Sequence, residues 1–299
     1  MDGVKPHEML THSVGAPVSA VVVTLNALPW LERCLESVRG LETIVVDHGS
    51  TDGTLDLVER RFPDVAVLRR ENKGYGAGLN AGAEATSGRY VLLLNSDAWA
   101  EEGAVERLVA FAEAHPRAGF IGPRARHPDG SLQHTVRGFP TLWRLATEYF
   151  FLRKLAPRSR ALNSFYAAGF AHDEPRRADW VMGYAALVRR EAFETVGGFD
   201  EDFFLFSEET DLCRRLWGAG WEVWFTPDAE FTHVGGASHK GLMFDENVGG
   251  HLRYLAKHHG DAYAERARKL LLWALLLRGA LFRGERGRMY RDAARMIGR

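Results

Sequence analysis

The chain has 299 residues, 46% hydrophobic and 26% charged, which excludes a disordered or fibrous protein and supplies apolar material for one large core or two smaller ones. With 38 Lys and Arg against 39 Asp and Glu, the formal net charge is -1, so the molecule as a whole has no electrostatic case for gripping nucleic acid. Cys34 and Cys213 both lie in apolar helical patterns, where a thiol behaves as a small core group, which argues against a disulfide framework or a zinc site.

Residues 1–17 read as an N-terminal extension without an apolar stretch able to act as a signal peptide, so the folded body is expected in the cytoplasm. From Val18 short aliphatic runs alternate with helical patterns: VSAVVVT, LPWLERCLESV, TIVVD, TLDLVERRF, VAVLR. Strands this apolar are buried on both faces, and parallel neighbours need crossovers of about a dozen residues, which the helices supply. The rhythm continues through the helix GLNAGAEAT, the strand RYVLLLNSD, the helix AVERLVAFAEAH and the strand AGFIG, ending at Gly122. From Pro123 to Asp179 periodicity weakens and turn signals appear, so a variable, partly mobile insertion is expected there. Order returns with DWVMGYAALVRREAFETVGGFDE, the helix EETDLCRRLWGAG and the strand EVWFTP, and the rest is helical and basic. No internal repeat or low-complexity tract is found.

The first strand ends at Thr24-Leu25-Asn26 and the second at Asp47-His48-Gly49-Ser50-Thr51-Asp52-Gly53, which places polar groups where open α/β sheets bind ligands. Asp47 can accept a hydrogen bond from a base N–H, and Thr24 and Asn26 stand beside it; Asp52 has the competing reading of an Asx turn or helix cap. The loop Glu71–Asn80 carries Lys73, Gly74 and Asn80 with two further glycines, which either approach a diphosphate closely or simply permit a tight strand-to-helix turn. The fourth strand delivers Asn95-Ser96-Asp97 to the same edge, and one carboxylate there can position a hard divalent ion whose shell substrate phosphates complete.

The motifs VVVTLN, VVDHGSTDGT, ENKGYGAGLNAG and YVLLLNSD, in that order, resemble the family 2 glycosyltransferases, particularly bacterial rhamnosyltransferase-like members, over about Val18 to His239. The resemblance implies a GT-A fold, a Rossmann-like mostly parallel central sheet flanked by helices, with a helical C-terminal extension. It divides the chain into a transferase domain over 18–240, with a nucleotide-sugar half at 18–122 and an acceptor half at 123–240, and a basic helical segment at 241–299. It also implies an inverting mechanism with a nucleotide-sugar donor held by Mg²⁺ or Mn²⁺. Asn95-Ser96-Asp97 stands at the family's Asp-x-Asp position, so metal binding carries over to Asp97 and a looser ribose or diphosphate contact to Asn95 and Ser96. WVMGYAALVRREAFETVGGFDEDFFLFSEETDLCRR looks like the family's acceptor-side segment, and alignment on Asp211-Leu212 makes Glu209 the catalytic base, a glutamate where aspartate is commoner. Glu208 is the competing base and an acceptor contact, and Asp211 is read as mainly structural. Trp180, Gly183 and Tyr184 are expected to shape the acceptor pocket, and the nearby phenylalanines to anchor the loop. His233 is expected as a second metal ligand, as in similar transferases, His239 and Lys240 as phosphate contacts, and the glycines between them as part of a lid over the donor.

The implied partners are a nucleotide sugar, with dTDP-rhamnose or a UDP-hexose favoured, and a saccharide or lipid-linked acceptor for a cell-surface polysaccharide or glycolipid; a homodimer is a further expectation. From Arg266 to Arg299 ten Lys or Arg face two acids, a local charge of +8 around the apolar run LLLWALLL. That segment is too short to span a bilayer. It fits either peripheral contact with the inner face of the plasma membrane or a helix packed on protein. Two other classes compete. A sugar nucleotidyltransferase needs an early Gly-rich basic loop that VVVTLN does not provide, and a non-catalytic binding module has no use for Asp47, Asp97 and Glu209.

Overall fold

A strand apolar at every position needs cover on both faces. In the computed structural model, which describes residues 17–159, 161–167, 169–235 and 243–298, β1 (Val18–Thr24) is buried along its whole length. Ala20 and Val22 enter one apolar core, and Val21 and Val23 enter another on the opposite face. The chain continues through α1 (Leu28–Ser37), β2 (Glu42–Asp47), α2 (Thr54–Arg61), β3 (Ala66–Arg69), α3 (Tyr75–Glu84) and β4 (Tyr90–Asn95). β1 lies between β2 and β4, β3 pairs with β2, and all of these pairings are parallel. Leu31, Cys34 and Leu35 of α1 and Val58 of α2 cover the first face, and Leu79 and Ala83 of α3 the second. Thr24, Asp47 and Asn95 therefore emerge at one edge, as the motif order predicts.

The second half comprises β5 (Ala98–Ala100), α4 (Ala104–Ala114), β6 (Ala118–Arg126), β7 (Leu132–Gln133), β8 (Val136–Arg137), α5 (Leu142–Tyr149), β9 (Arg176–Arg177), β10 (Trp180–Val181), β11 (Ala185–Arg189), α6 (Arg190–Thr195), α7 (Glu208–Gly218) and β12 (Glu222–His233). The strand order of the main sheet is β3-β2-β1-β4-β11-β6-β12-β5. β11 enters antiparallel to both β4 and β6, so the sheet is mixed at its centre. β6 runs through the division expected at 122/123, and the two halves share a strand. The described residues of 123–179 form more secondary structure than their weak periodicity suggests. Short strands, α5 and side-chain ties hold the segment, among them Arg144 to Asp179 at 2.8 Å and the Trp143 indole N–H donating to the Ala161 carbonyl at 2.8 Å.

The C-terminal segment forms α8 (Met243–His259), α9 (Asp261–Leu281) and α10 (Gly284–Ile297), which pack with α5 around a third core that includes Leu145, Tyr149, Phe203, Leu271 and Leu275. Arg278, inside the apolar run, is buried. Its Nε and Nη2 donate to the carbonyls of Tyr149 and Glu148 at 2.7 Å each, satisfying acceptors that the end of α5 leaves open. Among the described residues no helix is long and apolar enough to cross a membrane. The domain boundary expected at 240, with His239, Lys240 and the rest of the expected lid beyond Gly235, lies outside the described residues.

Candidate active site

The strand ends open into a cavity of about 700 Å³, walled on one side by Thr24, Tyr75, Asn95, Ser96 and Asp97 and on another by Glu208 and Glu209. Thr24 is buried at the end of β1, and its hydroxyl has no hydrogen-bond partner. Asn95 accepts from the Tyr75 hydroxyl at 2.5 Å. Gly74 also lines the cavity. It has φ +114°, and a Cβ there would stand 2.5 Å from the Phe204 carbonyl oxygen, so only glycine fits. The next amide, Tyr75 N–H, donates to that same carbonyl at 2.9 Å.

Several residues expected to touch the donor are occupied elsewhere. The Asp47 carboxylate accepts from the N–H groups of Gly49 and Ser50 at 2.9 and 3.0 Å and closes its own turn. Asn26 accepts from Thr51 N–H at 2.8 Å, and its own N–H donates to Ser50 Oγ at 2.8 Å, so it welds the first two loops together. Asp52 accepts from the N–H groups of Leu28 and Thr54, which is the turn-and-cap reading. Lys73 is exposed and not part of the cavity wall. Asn80 clamps the loop leading to α7, accepting from Phe199 N–H at 2.8 Å and donating to the Phe199 carbonyl at 2.9 Å. Trp180, expected on the acceptor side, is buried in the second core with its indole N–H donating to the Gly138 carbonyl at 3.0 Å. A sequence places these residues near strand ends but does not say which way their side chains turn.

Asp97 and His233 meet across the cavity floor, Nε2 to Oδ1 at 3.5 Å, with β12 pairing His233 to Ala98. The imidazole is fixed from three sides. Its Nδ1 lies 3.0 Å from Gln133 Oε1, Gln133 Nε2 donates to the His233 carbonyl at 2.6 Å, and the Tyr184 ring stacks on it at 4.8 Å. With Nδ1 turned to Gln133, Nε2 faces Asp97, so carboxylate and imidazole stand together with the ring oriented through its other nitrogen, the arrangement metal sites use. Burial opposes ionisation of Asp97, but hydrogen bonding and charge from His233 and the backbone N–H of Gly235 outweigh it and hold the carboxyl below its ordinary range. Tyr184, expected at the acceptor, lines the cavity but commits its hydroxyl to the Pro123 carbonyl at 2.9 Å.

Glu208 and Glu209 begin α7 after Phe206 and Ser207, both in the left-handed region at φ 65° and 70°. Each has a buried Oε2 without a partner. Burial raises both carboxyls, and the charge of Glu209 raises Glu208 further, well above the ordinary range. On Glu209 the backbone N–H groups of Glu209, Gly183 and Thr210, and then Arg137, oppose that rise. Glu209 is thus the first of the pair to ionise. Asp211 faces away from the cavity, bonded to Arg215, Lys257 and His258 at 2.7 Å each, and these partners hold it down to about 2 against its burial.

The sequence reading missed a third wall, formed by His127, Gln133, His134, Arg137 and Tyr166. Its strands β7 and β8 are two residues long and carry no periodicity to read. Tyr75 was within view, inside the Gly-rich loop, but lost among the glycines.

Residues 19–197 match the model of glycosyl transferase family 2. The chain belongs to that family. Among curated proteins the transferase is 35% identical over 260 residues, 81% of each chain, to the N-acetylglucosaminyl-diphospho-decaprenol L-rhamnosyltransferase of Mycobacterium tuberculosis. Among solved structures it is similar to a mannosyltransferase from Pyrobaculum calidifontis in complex with GDP-Man and Mn²⁺. The TM-score there is 0.57 at 20% identity, covering 98% of this chain and 90% of that one. It is also similar to GalNAc-T7 with UDP, GalNAc and Mn²⁺, with a TM-score of 0.58 at 17% identity, covering 93% of this chain and 54% of that one. The fold of the transferase is GT-A. Asp97 lies within the family match, whereas Glu208, Glu209 and His233 lie beyond its end.

Proposed function

We propose that this transferase is an inverting, metal-assisted enzyme. It moves a sugar from a nucleotide diphosphate donor of the dTDP-rhamnose or UDP-hexose type to a hydroxyl of a saccharide or lipid-linked acceptor in cell-surface polysaccharide or glycolipid synthesis. The observation that carries the reading is one cavity lined by both the Asp97–His233 pair and Glu209, whose buried Oε2 has no hydrogen-bond partner. The name of the M. tuberculosis relative supports a rhamnosyl donor and a lipid-linked acceptor.

The donor set suits Mg²⁺ or Mn²⁺, with an anionic oxygen from Asp97 and an oriented imidazole from His233. No group of three or more His, Cys, Asp or Glu able to hold a metal occurs among the described residues, so donor phosphates and water would complete the shell. When bound, the ion supplies positive charge to the departing diphosphate. Thr24, Gly74, Asn95 and Ser96 then line the donor side, and Gly183 and Glu208 the acceptor side. Ionised Glu209 accepts the acceptor hydroxyl proton while that oxygen bonds to the anomeric carbon and the bond to the diphosphate oxygen breaks, inverting the carbon.

Thermal shift with UDP, dTDP and their sugars, with and without Mn²⁺, tests the reading. A nucleoside diphosphate should raise Tm in a metal-dependent way that Asp97→Ala removes; no stabilisation by any nucleotide sinks the proposal. Glu209→Gln should keep that stabilisation while transfer falls by roughly a hundredfold or more. Full activity in that variant would assign the base elsewhere.

A further inference from the structure

We infer that Arg137, with His127 and His134 beside it, forms a phosphoryl-binding subsite for the acceptor. This rests on the transferase reading and deepens it. Arg137 ends β8 and turns its guanidinium into the cavity wall. Its polar contacts are slight. Nη1 donates to the carbonyl of the adjoining Val136 at 3.1 Å, Nη2 lies 3.4 Å from the Met182 sulfur, and the plane sits 4.6 Å from the Tyr166 ring centroid.

Two buried arginines show what a structural role looks like in this fold. Arg189 commits all three nitrogens, to the carbonyls of Ala118 and Ala112 and to the Tyr90 hydroxyl. Arg278 caps α5 through two carbonyls. Arg137 has neither arrangement, and among the described residues no carboxylate lies within ion-pair distance of it. A cavity-lining cation with most of its N–H groups uncommitted to protein is a ready partner for an anion. Burial has already pushed it down to about 10, and the charges of Glu148 and Glu209 only partly offset this.

A guanidinium fork matches phosphoryl oxygens in a bidentate way. The flanking imidazoles suit the same ligand. His127 Nδ1 lies 2.7 Å from Gln133 Nε2, which can only donate, so its Nε2 carries a proton without the ring being charged. His134 is held edge-on against His172 at 4.9 Å and lines the same wall. The donor diphosphate is expected at Asp97 and His233, whereas Arg137 meets Met182, and the adjoining Gly183 packs on Glu209, where a Cβ would stand 3.4 Å from the Glu209 Cβ. The phosphoryl group at Arg137 therefore belongs to the molecule whose hydroxyl Glu209 deprotonates.

The test compares two acceptors that differ only in their anion, an alkyl glycoside and the corresponding alkyl diphosphate sugar, with one donor and the full chain. The ratio of their kcat/KM values should favour the diphosphate by roughly tenfold to a hundredfold and fall to near one in Arg137→Met. An unchanged ratio overturns the proposal. A matching loss of nucleoside diphosphate affinity in Arg137→Met would assign Arg137 to the donor and overturn it equally. A second arm needs no turnover: in EDTA, inorganic pyrophosphate titrated against tryptophan fluorescence should bind wild type and Asp97→Ala but not Arg137→Met, and the reverse pattern refutes the subsite. Failure of the transferase reading itself would appear separately, as absence of any nucleotide-induced Tm shift.

Discussion

Glu208 and Glu209 stand side by side on the first turn of α7, and their surroundings separate them more than their chemistry does. Burial and the neighbouring charge raise Glu208 well above the ordinary range, so its ionised form is disfavoured in the folded state. The cost is absent below the unfolded value of about 4.3 and grows as pH rises through the folded one. Glu208→Gln should therefore raise Tm at pH 8, with the gain shrinking towards pH 4; a lower Tm at pH 8 would contradict this. In the proposed role of Glu209 the ionised form acts, and its pKa is also raised. The ascending limb of the pH–rate profile should therefore lie above the ordinary carboxylate range. The places of Asp97 and Glu209 on the cavity wall were legible because each sits in an ordered motif. Asp47, Asn26 and Asn80 were not, since their hydrogen bonds go to loops whose approach only the folded chain reveals. Arg137 had no local signal at all.

At the scale of elements, what decides legibility is length. β1, β2 and β4 announce themselves as aliphatic runs, whereas β7 to β10 are two residues each, β7 folding back on β6 and β8, β9 and β10 existing through partners distant in sequence. Asp211 shows the same dependence on tertiary contact, joining α7 to Lys257 and His258 of α8. Its folded pKa is depressed, so its stabilisation is present above the unfolded value of about 3.9 and is lost as pH falls through about 2. Asp211→Asn should cost about 2 kcal/mol near neutrality, read by urea denaturation, and much less near pH 2. α9 packs on protein along one face and leaves another exposed. Leu271, Ala274 and Leu275 pack on the bundle, while Trp273, Leu277 and Leu281, at 71%, 47% and 64% exposure, form a stripe at i, i+4 spacing in line with exposed Lys269. We propose that this stripe meets an anionic bilayer surface. Vesicles containing phosphatidylserine should float the wild type at low salt and leave Trp273→Glu/Leu277→Glu behind; equal flotation of both would remove the stripe from membrane contact.

For the whole molecule, a net charge of -1 conceals a basic C-terminal segment whose helices complete a core begun by Leu145 and Phe203. Removing everything after Tyr263 would uncover that core, so a truncated chain should aggregate, as size-exclusion chromatography would reveal. The Phe203 side of the same loop reaches back across the molecule. The Phe204 carbonyl receives the Tyr75 amide where Gly74 leaves no room for a side chain, and Asn80 grips Phe199 a few residues earlier. Donor-side and base-side loops, more than a hundred residues apart in the chain, are thus a single mechanical part. A chimera that exchanges residues 71–80 with a relative without also exchanging 199–209 would import a loop cut for a different counterpart. On the proposed reading, specificity for donor and for acceptor in this scaffold should therefore travel together, and swapping one should require carrying the other along.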